Sequence, residues 1–242
     1  MGLCSADDDD AGDDDDTGDD DDTAPFDCLA RRTRPAAFDA VDDFGYGTVT
    51  SDTTTLPFCW FGTDVITQIT PELSSAGATH GHERVEWDVV FYGEVADTVR
   101  IDINGTLNFE YQSAHNPNND CEFYSWDSPA VAGFWDDLNM TADGAGTIRY
   151  DVVGEPPDRI AVAWWDALYH DDFPGEPISF QIHLFEQDHH IEVHYLQIEQ
   201  TEWDVDRGRS ATVGLRHEQA TLFSCNENAL HDDMSIAYWP PE

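Results

Sequence analysis

The sequence predicts an all-β fold: a single antiparallel β-sandwich of about ten strands behind a disordered acidic tether. Three observations carry this. Short β-branched and aromatic runs recur along the chain. Turn residues such as Asn104-Gly105, Pro156-Pro157 and Pro174-Gly175 separate them. No segment holds a helical period over ten residues or more.

The expected organisation is a tether over residues 1–24 and a sandwich domain over 25–242. Residues 7–24 repeat as DDDDAG, DDDDTG and DDDDTA. Blocks of like charge repel and have nothing apolar to bury, so the stretch reads as an extended spacer with a loose cation atmosphere. Calcium loops instead stagger their carboxylates along a turn. Pro25 to Leu56 reads as a transition, in which Arg31, Arg32 and Arg34 sit against the acidic body and Thr48–Thr55 is a loop or edge strand.

Strands are predicted at Asp64–Thr70, Arg84–Tyr92, Thr98–Ile103, Thr106–Tyr111, Thr147–Val153, Arg159–Trp165, Ile178–Glu186, His190–Glu199, Ala211–His217 and Met234–Trp239. Alternation puts Ile160, Val162 and Trp164 on one side of their strand and Ala161, Ala163 and Trp165 on the other. Neither side is polar, so that strand is expected to lie centrally and be covered on both faces. Asn104-Gly105 between VRIDI and TLNFEY is the strongest short hairpin signal. Asn104 and Asn139 also open Asn-x-Thr sequons.

The stretch Ala130–Tyr150 makes a corner. Val131, Phe134 and Trp135 demand burial, roughly 1.5–3 kcal/mol each, whereas Asp136 and Asp137 cannot enter a core unpaired. The chain is therefore expected to leave the core at Asp136, turn at Asp143–Gly146 and return as Thr147–Val153.

The charge is extreme: 51 acidic residues face 10 arginines, and lysine is absent. Twelve aspartates lie in the repeats, leaving 39 acids against 10 arginines, a net of −29, on the rest of the chain. Such a field excludes nucleic acid and anionic lipid as partners and favours cations, basic partners and solubility. No run of 18 apolar residues occurs, so no transmembrane segment is expected. None of the five cysteines forms a CxxC pair. Cys28, Cys59, Cys121 and Cys225 read as two disulfides of an oxidising compartment. Three pairings are open, and Cys28–Cys59 with Cys121–Cys225 is the expected one. Cys4, ahead of the polyaspartate, resembles the lipidated first residue of a bacterial lipoprotein, although Met1-Gly2-Leu3 departs from a lipobox.

FYG at Phe91–Gly93, INGTLNF at Ile103–Phe109 and AGFWDDL at Ala132–Leu138 resemble the first half of a NIDO-like extracellular domain. GTIRY at Gly146–Tyr150, SFQIHLFE at Ser179–Glu186, IEVHY at Ile191–Tyr195 and TVGL at Thr212–Leu215 resemble its second half in order. The resemblance spans a core of about Trp87 to Arg216. It implies an extracellular β-rich module of adhesive, matrix-like and bacterial surface proteins, without catalysis, and brings no catalytic residues.

Three constellations are candidates for chemistry. With a turn at Asp188-His189, His183 would face His194, and His190, Glu192 and His194 would share one face with it. Cross-strand neighbours about 5 Å apart can share a Zn²⁺ or Cu²⁺; otherwise the face is a hydrated polar surface. His80 and His82 could join only through a loop. Asp136, Asp137, Asn139 and Asp143 suggest an oxygen-rich Ca²⁺ loop, set against Asx-turn chemistry. Trp126, Trp165 or Trp203 could stack on a sugar, although core packing accounts for most tryptophans in a sandwich. GxSxG, HExxH and Gly-rich phosphate loops are absent. The expectation is a non-catalytic, secreted or lipid-anchored surface module that binds or assembles with an extracellular protein or glycan, with an outer-membrane lipoprotein as one form. Metal binding at the histidine face and carbohydrate binding are the alternatives.

Overall fold

The computed structural model describes residues 27–70, 73, 79–109, 117–122, 129–172 and 175–242. The acidic repeats, Cys4 and Trp126 lie outside them. Fourteen strands run in chain order as β1 (Ala40–Val41), β2 (Gly47–Thr50), β3 (His80–Phe91), β4 (Glu94–Asp102), β5 (Thr106–Asn108), β6 (Ala130–Trp135), β7 (Leu138–Asn139), β8 (Thr147–Val153), β9 (Ile160–His170), β10 (Ile178–Phe185), β11 (Ile191–Gln197), β12 (Thr212–Arg216), β13 (Ala220–Cys225) and β14 (Met234–Trp239). One sheet is ordered β1-β2-β14-β11-β10-β9-β7, with β8 also on β9; the other is β13-β12-β6-β5-β4-β3. The described pairings are all antiparallel, and no α-helix occurs among the described residues.

The inner faces meet in one large core. Trp165 of β9 stacks on Phe180 of β10 at 4.6 Å and donates its indole N–H to the Asp102 carbonyl in the facing sheet at 3.0 Å. The Tyr195 hydroxyl donates across to the Gly133 carbonyl at 2.7 Å. The sheets approach so closely there that a Cβ on Gly133 would lie 2.8 Å from Phe180.

The alternation in β9 places its side chains as expected. Ala161, Ala163 and Trp165 face the main core, while Ile160, Val162 and Trp164 join a second cluster with Cys59, Phe61, Ile66 and Phe185. The N-terminal segment makes this second layer by crossing the outer face of the eight-stranded sheet. Cys28–Cys59 closes it on itself, and Cys121–Cys225 ties the end of β13 to the loop after β5.

Several boundaries differ from expectation. Residues 64–70 are a turn at 64–65 followed by an irregular stretch with a single bridge from Ile69 to Arg149, in which the Thr67 amide and the Gln68 side chain donate to the Asp151 carboxylate. The apolar run before Asp136 is itself a central strand, β6, buried throughout. Thr106–Tyr111 shortens to β5, with 110–111 outside the described residues. Strand β13 was hidden by its mixed composition. The Asn104-Gly105 hairpin has three loop residues, since Asp102 pairs with Thr106. Gly105 takes φ +83°, and a Cβ there would lie 1.8 Å from the Phe134 carbonyl oxygen. Asn104 is buried and its Oδ1 accepts the Leu138 amide at 3.2 Å, so this sequon holds the corner and has no room for a glycan.

Candidate functional site

The histidine hairpin folds with a longer loop than expected. The Phe185 amide bonds the His190 carbonyl, leaving Glu186–His189 as the loop. His183 therefore sits opposite Glu192, and His194 opposite Gln181. The four side chains still share a face, with the His183 and His194 rings 4.5 Å apart. His183, Glu192 and His194 each bring one donor atom within 4.8 Å of the others, the single such group among the described residues. His190 is not in it. The histidines 80 and 82 lie on β3 of the other sheet.

The face is not a hydrated surface. His183, His190, Glu192 and His194 are buried beneath the N-terminal segment. The Arg32 Nε donates to Glu192 Oε1 at 2.8 Å and an Nη to Oε2 at 3.3 Å, with both side chains buried. His190 spans Asp188 and Glu192 and stacks on Trp239 at 4.2 Å. Burial opposes the charge on both sides of this pair, and the hydrogen bonds overrule it. His190 is raised above its ordinary pKa by Asp188 and Glu192, and Glu192 is held well below its own by His190 and His194. His183, desolvated and beside His194, is pushed well down and stays neutral.

The crossing segment explains why the stripe is polar. The Cys59 amide donates to His194 Nδ1 at 3.3 Å, and the Phe61 amide donates to Gln181 Oε1 at 3.2 Å. Gln181 Nε2 returns a bond to the Phe61 carbonyl at 2.7 Å. A loop laid across a sheet face has no ladder partner, and buried backbone groups must still be paired. Gln181 and His194 supply those partners. His194 therefore carries its proton on Nε2, toward Glu192 Oε2 at 3.0 Å. Both Glu192 oxygens are committed, and a guanidinium sits beside them where a dication would have to bind. The donor set fits an ion-pair latch better than a Zn²⁺ or Cu²⁺ site.

The acidic corner also turns inward. Asp136, expected to mark the exit from the core, is buried and paired: it accepts from Ser210 Oγ at 2.5 Å, the Asp137 amide at 3.0 Å and His170 Nε2 at 3.3 Å. Asn139 Oδ1 accepts the Thr141 amide and hydroxyl in an Asx turn, and Asp143 is exposed on the following turn. The three carboxylates do not converge. Burial, then Asp171, raises the Asp137 carboxyl above its usual value. Of the tryptophans, Trp165 is core rather than platform, and exposed Trp203 is covered by the Arg209 guanidinium 3.9 Å from its ring centroid.

Sequence reasoning missed one surface feature. Three hairpin turns, from both sheets, meet at one end of the sandwich. Asp42 joins them: Oδ1 accepts the amides of Phe44, Gly45 and Tyr46 at 3.0, 2.7 and 2.7 Å. Its Oδ2 accepts the Tyr92 hydroxyl at 2.5 Å and the Thr221 hydroxyl at 3.0 Å. Tyr46, Tyr92 and His217 form a continuous stack, with centroids 4.4 and 4.9 Å apart, and Phe44 stands edge-on to Tyr92 at 5.1 Å. Tyr92 occupies a left-handed φ of +51° ahead of Gly93 at +82°, where Asn or Asp is the ordinary choice. The Tyr46 hydroxyl accepts its amide at 3.1 Å. A cleft of about 450 Å³ opens over this group. The FYG motif, with its bulky residue in a tight turn, was the available signal.

A family model described as NIDO related matches residues 50–237. The chain belongs to the NIDO-related family. No curated protein and no solved structure matches it. The match extends beyond the expected 87–216 core on both sides. It takes in the histidine stripe, the Asp136 corner, Tyr92 and His217, but neither Arg32 nor the Asp42–Tyr46 turn. The NIDO-related part thus supplies the six-stranded sheet and most of the eight-stranded one, while the segment before it supplies β1, nearly all of β2, Arg32 and Phe44. Family membership and two disulfides are consistent with an extracellular-type module, and no described helix is long and apolar enough to cross a membrane.

Proposed function

We propose that this NIDO-related chain is a non-catalytic recognition module of a secreted or cell-surface protein, and that it binds through the turn end of its sandwich. The supporting observation is Asp42, a single carboxylate that fixes three turns of both sheets into a rigid aromatic platform. Binding residues concentrate on loops held by a rigid scaffold, and exposed Phe44, backed by Tyr92 and His217 at the edge of a cleft, offers an aromatic anchor for contact. Attachment through a lipid on Cys4 belongs to the same reading and is tested by mass spectrometry of membrane-associated protein.

The full chain, immobilised and probed with arrays of extracellular-matrix proteins and glycans, should capture partners in a manner lost with Phe44→Ala and retained with Trp203→Ala. Capture that depends on Trp203 instead would move the reading to a sugar platform. Capture indifferent to both, or turnover of a glycan or peptide substrate, would overturn it. The histidine stripe serves this reading as structure. Zn²⁺ or Cu²⁺ added after EDTA should leave the thermal midpoint unmoved, whereas a site holding metal at 100 times its Kd would gain about 2.7 kcal/mol.

A further inference from the structure

We infer that the cleft at the turn end accepts a cationic side chain, the guanidinium or ammonium group of a basic polypeptide segment; this rests on the turn end being the binding face. The lining combines two features. One is aromatic: Phe44 is 48% exposed, with Tyr92 and His217 beneath it. The other is anionic: Asp42, Asp43 and Glu218 line the same cleft, and Asp43 and Glu218 stand exposed at its rim.

Asp42 is not free to bind, since both of its oxygens are used in joining the turns. Its charge nevertheless remains behind the ring stack. Glu94 adds a fourth carboxylate, 3.9 Å from His217 Nε2. The nearby Arg216 is turned onto the His217 carbonyl, and no arginine lines the cleft among the described residues. An aromatic surface over fixed negative charge attracts a cation both through the ring quadrupole and through the local potential. The low-polarity rings exclude a strongly hydrated small ion and accept a weakly hydrated guanidinium. A neutral sugar would gain only the stacking, and an anion would meet four carboxylates.

The general acidity of the chain would draw any basic peptide diffusely, so the test separates local from diffuse attraction. Side-chain NMR spectra of the full chain are followed at 0.15 M salt, where charges beyond about 8 Å are screened. The probes are acetyl-Gly-Arg-Gly-amide and the same peptide with neutral citrulline. The arginine peptide should shift Phe44, Tyr92 and His217 together, and the citrulline peptide should bind at least tenfold more weakly. Phe44→Ala and Glu218→Gln should each weaken the arginine peptide several-fold, while Asp204→Asn, an exposed acid outside the cleft lining, should not.

Equal shifts from both peptides, or equal weakening by Asp204→Asn, would overturn the inference. If neither peptide shifts these signals while array capture still needs Phe44, the cation preference is wrong and the binding face stands. If capture is also indifferent to Phe44, both are wrong.

Discussion

At the scale of single residues, the decisive group is Glu192, a buried carboxylate holding Arg32 and two histidines. Removing one partner of a buried ion pair strands the other, so Glu192→Gln should cost about 3–5 kcal/mol in urea unfolding. Arg32→Met combined with Glu192→Gln should cost less than the sum of the singles, with a coupling of at least about 1 kcal/mol. His170 offers a pH test. Burial pushes its imidazole down, but the hydrogen bond and charge of Asp136 outweigh this, and the folded pKa is raised. The charged form therefore stabilises the fold in full below the unfolded value of about 6.5. That contribution is lost as pH rises through the folded value. Stability should therefore fall more steeply between pH 6 and 9 in the parent chain than in His170→Asn, and parallel curves would refute the assignment. His183, Glu192 and His194 were legible as a cluster because the period of two is written in the sequence. Their burial was not, because it depends on Arg32 and Cys59, more than 120 residues away along the chain. Asp136 illustrates the same limit: sequence could require a partner but could not name His170 or Ser210.

Elements show which parts of the fold are local. Strand β9 was readable on both faces because an apolar pattern on each side has one solution, a covered central strand. Strand β13 was not, since Ala220–Cys225 mixes polar and apolar residues and becomes a strand through its pairing to β12. The Asn104-Gly105 turn was visible, but its third loop residue was not; it follows from the Gly105 carbonyl accepting the Gly133 and Phe134 amides at 3.0 and 3.2 Å. This contact locks the β4–β5 turn to β6 and leaves no space for a side chain. Gly105→Ala combines a positive φ with a backbone clash and should destabilise by at least about 2 kcal/mol. Thermal unfolding of Gly105→Ala beside Gly144→Ala separates the two causes. Gly144 also has a positive φ, +84°, but a Cβ there meets nothing closer than 3.8 Å, so only the strain should remain.

The whole molecule carries a charge that few of its contacts can use. Its ten arginines are largely committed to named partners: Arg31 to Asp158, Arg32 to Glu192, Arg149 to Asp166, Arg159 to Glu186 and Arg207 to Glu199. With 51 acids against ten arginines, most carboxylates have no arginine to pair with. Folding draws those carboxylates closer than they sit in the unfolded chain, so self-repulsion opposes the compact state. Salt screens repulsive and attractive pairs alike, and here the repulsive ones are in excess. Exposed pairs such as Arg207 with Glu199 contribute little and are readily screened, and the buried Arg32–Glu192 pair is screened least. Raising NaCl from 0.05 to 1 M shortens the screening length from more than 10 Å to about 3 Å. The unfolding midpoint should rise steadily across that range, and equally in KCl, since the effect is screening rather than a bound ion. A midpoint that falls with salt would mean that attractive surface pairs dominate despite the composition. One that rises with CaCl₂ at matched ionic strength but not with NaCl would assign the stabilisation to specific cation binding instead.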